Sequence, residues 1–288
     1  MANIVGGITT SHVPAIGRAI AKNLQGDAYW KPFFDGFGPV HCWLAQAKPD
    51  VIVVLYNDHG LNFFLDKMPT FSVGAAPEYR NADEGWGIPQ VPPFAGEQDL
   101  SWHLINSLVA DEFDLTTCQE MVVDHAFTLP MALLYPDQKW PVKVVPVCIN
   151  TVQFPLPSAR RCYALGEAIG RAVASWDSDA RVAILGTGGL SHQLDGERAG
   201  FINKDFDLQF MESLVHDPRW ATQFSIHELV EKTGTQGVEL LMWLATRGAL
   251  GEKVRCVHQN YHIPISNTAS GLMVMAPAPL SSSPAELC

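Results

Sequence analysis

The sequence predicts an α/β fold, a central mixed β-sheet flanked by helices within a single domain. Three observations lead there. Short runs of β-branched and aromatic residues alternate with segments of helical periodicity. Apolar runs such as Val51-Ile-Val-Val-Leu55 are far too short to span a bilayer. No Pro-, Gly- or Ser-rich linker or break in composition divides the interior, so one domain accounts for the 288 residues.

Along the chain, Ile4–Thr9 is expected as a strand and Gly38–Lys48 as a helix, the latter from its apolar spacing. Val51–Tyr56 and Phe71–Gly74 are compact strand runs, and Asp99–Asp111 returns to helical spacing. Phe113–Met121 and Lys143–Ile149 are expected strands, Ala159–Trp176 a helix, and Arg181–Gly186 a further strand. Asn203–His216 and Gln236–Arg247 carry helical periodicity, and Val254–Ile263 with Gly271–Ala276 forms an extended pair. The domain then covers residues 1–276, and Pro277–Cys288, with three prolines and three serines, is expected to be a loose tail.

Composition narrows the function. The net charge is −11, from 19 basic and 30 acidic residues, and without a basic patch such a chain repels a phosphate backbone; nucleic acid is excluded as a partner. The N-terminus lacks a charged region followed by an apolar one, so no signal peptide is expected and the location is cytoplasmic. Six cysteines (Cys42, Cys118, Cys148, Cys162, Cys256 and Cys288) are scattered without a C-x-x-C pair and are expected to be buried and reduced.

The informative residues stand just beyond the strands. Ile4–Thr9 leads into Ser11-His12, Val51–Tyr56 into Asn57-Asp58-His59, Phe113–Met121 into Asp124-His125, and Arg181–Gly186 through a glycine turn into Ser191-His192. Ligands of open α/β sheets gather at the carboxyl ends of strands, so four histidines there can share a site. A lone strand-end histidine is ordinarily a capping or core residue, and the other six (His41, His103, His216, His227, His258 and His262) are assigned that role. Imidazoles plus a carboxylate suit a transition metal, and two His with one carboxylate on one face leave three cis positions, the non-haem Fe(II) oxygenase arrangement. Glu239 is the ionisable group isolated in Gly237-Val-Glu-Leu-Leu-Met-Trp-Leu244; its ordinary alternative is a stabilising charge at a helix N-terminus. Gly186-Thr-Gly-Gly189 departs from a dinucleotide loop at Ser191 and is better explained as a turn that aims His192. Asp83-Glu84-Gly85-Trp86-Gly87 is either a lid over the site or an acidic surface turn.

At these residues the sequence resembles the class III extradiol ring-cleavage dioxygenases, in particular the family of protocatechuate 4,5-dioxygenase β (catalytic) subunits. The segments that carry the resemblance are Thr10-Ser-His-Val-Pro-Ala-Ile-Gly17, Tyr56-Asn-Asp-His59, Pro69–Gly74, Ala82–Gly87, Val123-Asp-His125, Gly186–Leu194, Arg198–Lys204, Gly237–Leu250 and Tyr261–Ala269. The resemblance implies Fe(II) held by His12, His59 and Glu239, His192 as acid–base residue, and His125 as a second polar group lining the pocket. It implies Ser266 and Asn267 as hydrogen-bond donors to a substrate carboxylate, so neutral groups hold an anion in an acidic protein. Ala126 after His125 and Gly60 after His59 stand where similar sequences usually carry Gly and Ala, which bears on the preferred ring substituents.

The implied reaction is O₂-dependent extradiol cleavage of a carboxylated catechol, with 4,5-cleavage of protocatechuate first and gallate or 3-O-methylgallate as alternatives. The family also implies a small helical α subunit, giving an αβ hetero-oligomer. Two other classes stay open from the residues alone: a His₂Glu zinc hydrolase, and a non-catalytic metal- or ligand-binding subunit.

Overall fold

The computed structural model describes residues 1–278 apart from Trp86, Pro89, Gln138 and Ser266. In chain order the elements are β1 (Asn3–Thr10), α1 (Pro14–Ala21), α2 (Lys31–Asp35), α3 (Gly38–Ala47), β2 (Val51–Tyr56), β3 (Phe71–Gly74), β4 (Glu78–Asn81) and β5 (Phe94–Ala95). Then come α4 (Gln98–Ala110), β6 (Thr116–Cys118), β7 (Val122–Val123), α5 (His125–Leu134), β8 (Lys143–Ile149), α6 (Ala159–Ser175) and β9 (Arg181–Thr187). The chain continues through α7 (Lys204–His216), α8 (Ile226–Thr233), α9 (Leu240–Ala249), β10 (Val254–Ile265) and β11 (Thr268–Pro277).

The main sheet has 8 strands in the order β10-β11-β1-β9-β2-β8-β3-β6. Its four central strands, β1, β9, β2 and β8, are parallel neighbours, so their carboxyl ends share one edge. β11 joins β1 antiparallel and β3 joins β8 antiparallel, which makes the sheet mixed as expected. Strand residues alternate faces. Val51, Val53 and Leu55 of β2 pack with α4, α6, α7 and α9 through Leu104, Leu165, Phe210 and Leu241. Ile52, Val54 and Tyr56 pack on the opposite face with Ile16, Val40, Phe127 and Met131. Both faces are covered, which is why these strands are unbroken apolar runs, and each fully buried aliphatic side chain contributes roughly 1.5–3 kcal/mol.

α9 lies close on α6 because glycines remove the side chains between them: a Cβ at Gly166 would run into the Ala245 carbonyl, and one at Gly248 into the Tyr163 carbonyl. Trp243 of α9 donates its indole N–H to Gly188 O at 2.9 Å, tying the helix to the turn after β9.

Three expectations need correction. Phe113–Met121 is not one strand; only Thr116–Cys118 joins the main sheet, and Val122–Val123 pairs with β4 in a separate 3-stranded sheet, β5-β4-β7. Gln236–Arg247 begins as a 3₁₀ turn at Gly237–Glu239 before α9. Burial of all the cysteines fails at Cys256, which is exposed, and at half-buried Cys42, while Cys118, Cys148 and Cys162 are buried and free. Cys288 and the rest of 279–288 lie outside the described residues. Among the described residues no helix is long and apolar enough to cross a membrane.

Candidate active site

β1 ends at Ser11-His12, and Ser11 is clamped to β11 by its N–H to Gly271 O at 3.1 Å and by Gly271 N–H to its Oγ at 3.0 Å. That fixes His12, whose Nδ1 bonds Thr187 Oγ1 at 3.2 Å from the end of β9. β2 ends at Asn57-Asp58-His59. The buried Asp58 carboxylate accepts the backbone N–H groups of Gly60, Leu61, Asn62 and Phe63, wrapping the loop so that His59 projects over the strand ends. Asp124 Oδ2 accepts both the backbone N–H and Nδ1–H of His59, at 2.7 and 2.9 Å.

Glu239 closes the 3₁₀ turn ahead of α9, and its Oε2 accepts Gly189 N–H at 2.9 Å. Gly188 makes the approach possible: its φ is +94° and a Cβ there would stand 2.7 Å from that of Glu239. His192 lies beyond the same turn, donating Nδ1–H to Leu190 O and N–H to Thr233 O, each at 2.8 Å. The preceding Ser191 is held by buried Asp207, which accepts its N–H at 3.0 Å and its hydroxyl at 2.6 Å; burial raises Asp207 to about 6 against the lowering effect of these bonds. His125 is the first residue of α5, and its Nδ1–H goes to Glu84 Oε2 at 2.6 Å.

In all four histidines, therefore, Nδ1 is engaged, and Nε2 of His12, His59 and His192 faces Glu239, that of His59 also lying 3.3 Å from Asn57 Nδ2. His12 Nε2 is 3.5 Å and His192 Nε2 3.9 Å from Glu239 Oε2, and His59 Nε2 is 3.6 Å from Oε1. The His125 ring stacks on His59 at 4.4 Å and stands edge-on to His12 at 5.4 Å. Nitrogens of His12, His59 and His125 all lie within 4.8 Å of one another.

Electrostatics sort these groups. Burial pushes the Glu239 carboxyl up, but His12, His59 and His192 outweigh it and hold it well below the usual range, so it is ionised. Burial lowers His12 and wins over the attraction of Glu239. Burial would also lower His59, yet Asp124 and Glu239 together push it well above its ordinary value. Asp124 in turn, despite burial, is held at about 2 by His59.

This arrangement fits a divalent metal. Two donors about 2.1 Å from a common ion lie no more than about 4.2 Å apart, and the Glu239 distances to His12 and His59 satisfy that limit. Two buried carboxylates flanking His59 call for positive charge at this point. Asn57, 1% exposed, sits at the same corner with Nδ2 3.2 Å from Glu239 Oε1, and its Oδ1 has no partner among the described residues. The outer partners on each Nδ1 are the usual device for orienting a metal-binding imidazole.

The structure thus brings together His12, His59, His125, His192 and Glu239. Asn267 lies at the β10–β11 turn with φ +62°, next to Thr268, which bridges His192. Ser266 lies outside the described residues. His41, His103 and His258 bond backbone carbonyls, consistent with ordinary structural roles. The partners Thr187, Asp124 and Glu84 had no assigned role from sequence, since the main signal was the strand-end histidine; only the acidic segment at 83–84 hinted at Glu84.

Comparison with known proteins gives the same direction. Residues 6–271 match the family model described as the catalytic LigB subunit of aromatic ring-opening dioxygenase. A gallate dioxygenase of Pseudomonas putida is 45% identical over 184 residues, 64% of this chain and 54% of that protein. A 2,3-dihydroxyphenylpropionate/2,3-dihydroxicinnamic acid 1,2-dioxygenase of Photorhabdus laumondii is 35% identical over 64% of this chain and 55% of its own length. This chain therefore spans about half the length of these two relatives. One of the same name from Azotobacter vinelandii is 31% identical over 79% of this chain and 85% of that protein. The crystal structure of an uncharacterized Escherichia coli K12 protein shares the fold, with a TM-score of 0.55 at 14% identity, over 94% of this chain and 99% of that one.

Proposed function

This chain belongs to the family of catalytic LigB subunits of aromatic ring-opening dioxygenases, and from that membership we propose that it opens a carboxylated catechol by extradiol cleavage with O₂, using Fe(II) held by His12, His59 and Glu239. The carrying observation is the convergence of three strand-end imidazoles and one buried carboxylate, each Nδ1 of the imidazoles being already engaged elsewhere. Fe(II) bound by two imidazoles and one carboxylate would supply three cis positions for both catechol oxygens and O₂, letting electrons pass from ring to oxygen.

The protein's own groups handle the protons. His192 gives Nδ1–H to a carbonyl, so in the neutral ring Nε2 carries a lone pair and serves as general base for a catechol hydroxyl. The same nitrogen, once protonated, would return that proton to the reacting substrate as general acid. His125, stacked on His59, is the second polar group facing the substrate. Ser266 and Asn267 anchor the substrate carboxylate, a role supported for Asn267 by its place one residue from the Thr268–His192 bridge. Both oxygen atoms enter the product, which for 4,5-cleavage of protocatechuate is a carboxylated hydroxymuconic semialdehyde.

Protocatechuate is the first substrate from the sequence, and the name of the Pseudomonas putida relative puts gallate beside it. A small helical α subunit as partner and a cytoplasmic location belong to the same proposal. The test is O₂ uptake by Fe(II)-loaded protein with protocatechuate, gallate and 3-O-methylgallate in parallel. Ring opening of none of them, or equal turnover with Zn(II) and no O₂ consumed, overturns the proposal in favour of hydrolytic chemistry.

A further inference from the structure

The segment between β4 and β5 carries a carboxylate that this chemistry does not use. β4 and β7 run parallel, with Asn81 opposite Val123, so the residues leaving them emerge side by side. Ala82 N–H bonds Val123 O at 2.8 Å, and Asn81 bonds the same carbonyl through Nδ2 while its Oδ1 takes Val91 N–H. Both limbs of the segment are thereby pinned at their base, and Glu84 is delivered to the first turn of α5. Its Oε1 accepts the backbone N–H of His125 and its Oε2 accepts Nδ1–H, both at 2.6 Å. Asp83 and Gly85 on either side are exposed, yet the Glu84 side chain is only 5% exposed. A surface acid would be solvated; this one has both oxygens committed to a single residue.

We propose that Glu84 is the positioning residue of His125: it fixes the ring's rotation and tautomer, so that Nε2 faces the substrate as a lone-pair acceptor. This rests on the dioxygenase reading, in which His125 lines the substrate site. The carboxylate is specific to the task. An amide at this position offers one acceptor oxygen and an NH₂ to two N–H donors. The simplest relief is to move the ring proton from Nδ1 to Nε2, turning the pocket-facing nitrogen from acceptor into donor.

The experiment uses Glu84→Gln and Glu84→Ala in the full chain. In Fe(II)-loaded protein, kcat should fall on the order of 10²-fold in both, the scale of a lost outer-shell partner, with KM and metal content near wild type. Added formate should restore turnover in Glu84→Ala by filling the vacated carboxylate position, and should do nothing for Glu84→Gln. ¹⁵N-histidine NMR of the metal-free chain should show His125 protonated at Nδ1 in the wild type and at Nε2 in Glu84→Gln. Unchanged kcat in both variants, metal lost together with activity, no formate rescue, or the same tautomer in wild type and Glu84→Gln each overturn the assignment. If the wild type opens no catechol ring, the dioxygenase reading fails by itself, and the NMR comparison still decides whether Glu84 sets the tautomer.

Discussion

Two walls of the site hold their histidines differently. His12 and His192 leave the strands β1 and β9 of the main sheet, and their Nδ1 atoms meet neutral oxygens, the Thr187 hydroxyl and the Leu190 carbonyl. His59 and His125 meet carboxylates, Asp124 and Glu84, both on segments that leave the smaller sheet. The consequence is visible in His12 and His59: the first is lowered by burial, the second raised by its acidic neighbours. Identical side chains aimed at one point thus differ in how readily they carry positive charge.

The harshest test of this contrast is to remove the carboxylate that touches both walls. Glu239→Ala should abolish metal retention and ring cleavage together, read by metal analysis and O₂ uptake; a variant that keeps stoichiometric iron dismisses Glu239 as a ligand. His192→Phe comes next. It should keep its metal and lose turnover by about 10²–10⁴-fold, the usual worth of a positioned acid–base group, and loss of the metal instead would make His192 a ligand.

Asp124→Asn tests the charged wall and should weaken metal affinity about 10- to 100-fold, measured by competition with a chelator. The same variant has a pH signature. Asp124 is held at about 2, below its ordinary 3.8, so its stabilising contribution is present above about pH 4 and is lost as pH falls through about 2. The difference corresponds to about 2 kcal/mol, so acid-unfolding curves of wild type and variant should converge at the low-pH end. Thr187→Val probes the neutral wall and gives the smallest effect: one hydrogen bond worth about 1 kcal/mol, or less than ten-fold in metal affinity. Equal losses in Asp124→Asn and Thr187→Val would erase the distinction between the walls.

Much of this was legible in the sequence for identifiable reasons. The strands were readable because burial on both faces makes Val51–Tyr56 and Arg181–Thr187 nearly all apolar, and their carboxyl ends then point to His59 and His192. Glu239 stood out because burial surrounds it with apolar neighbours. α5 was not readable: nine of its ten residues are buried, so no 3.6-residue stripe shows, and Pro130 lies inside it. That is also why His125 was attached to the wrong strand, although its place at the site was expected. The outer partners were hidden because a hydroxyl at Thr187 and a carboxylate at Glu84 reach the site through pairings no local pattern reports.

The position of β1 has a consequence for how this protein is made. β1 lies between β9 and β11, so it gains its first sheet neighbour only once β9 has been synthesised and its second only with β11. His12 and Thr187 are 175 positions apart, and Ser11 and the Gly271 that clamps it are 260 apart. Contacts of such sequence separation carry a loop-closure cost before any packing rewards them, which slows folding. On the ribosome, β1 therefore emerges early and has no sheet partner until β9 follows it. Assembly of the metal-binding cluster therefore waits on β9 and on Glu239, far along the chain, rather than on the segment that carries its first histidine.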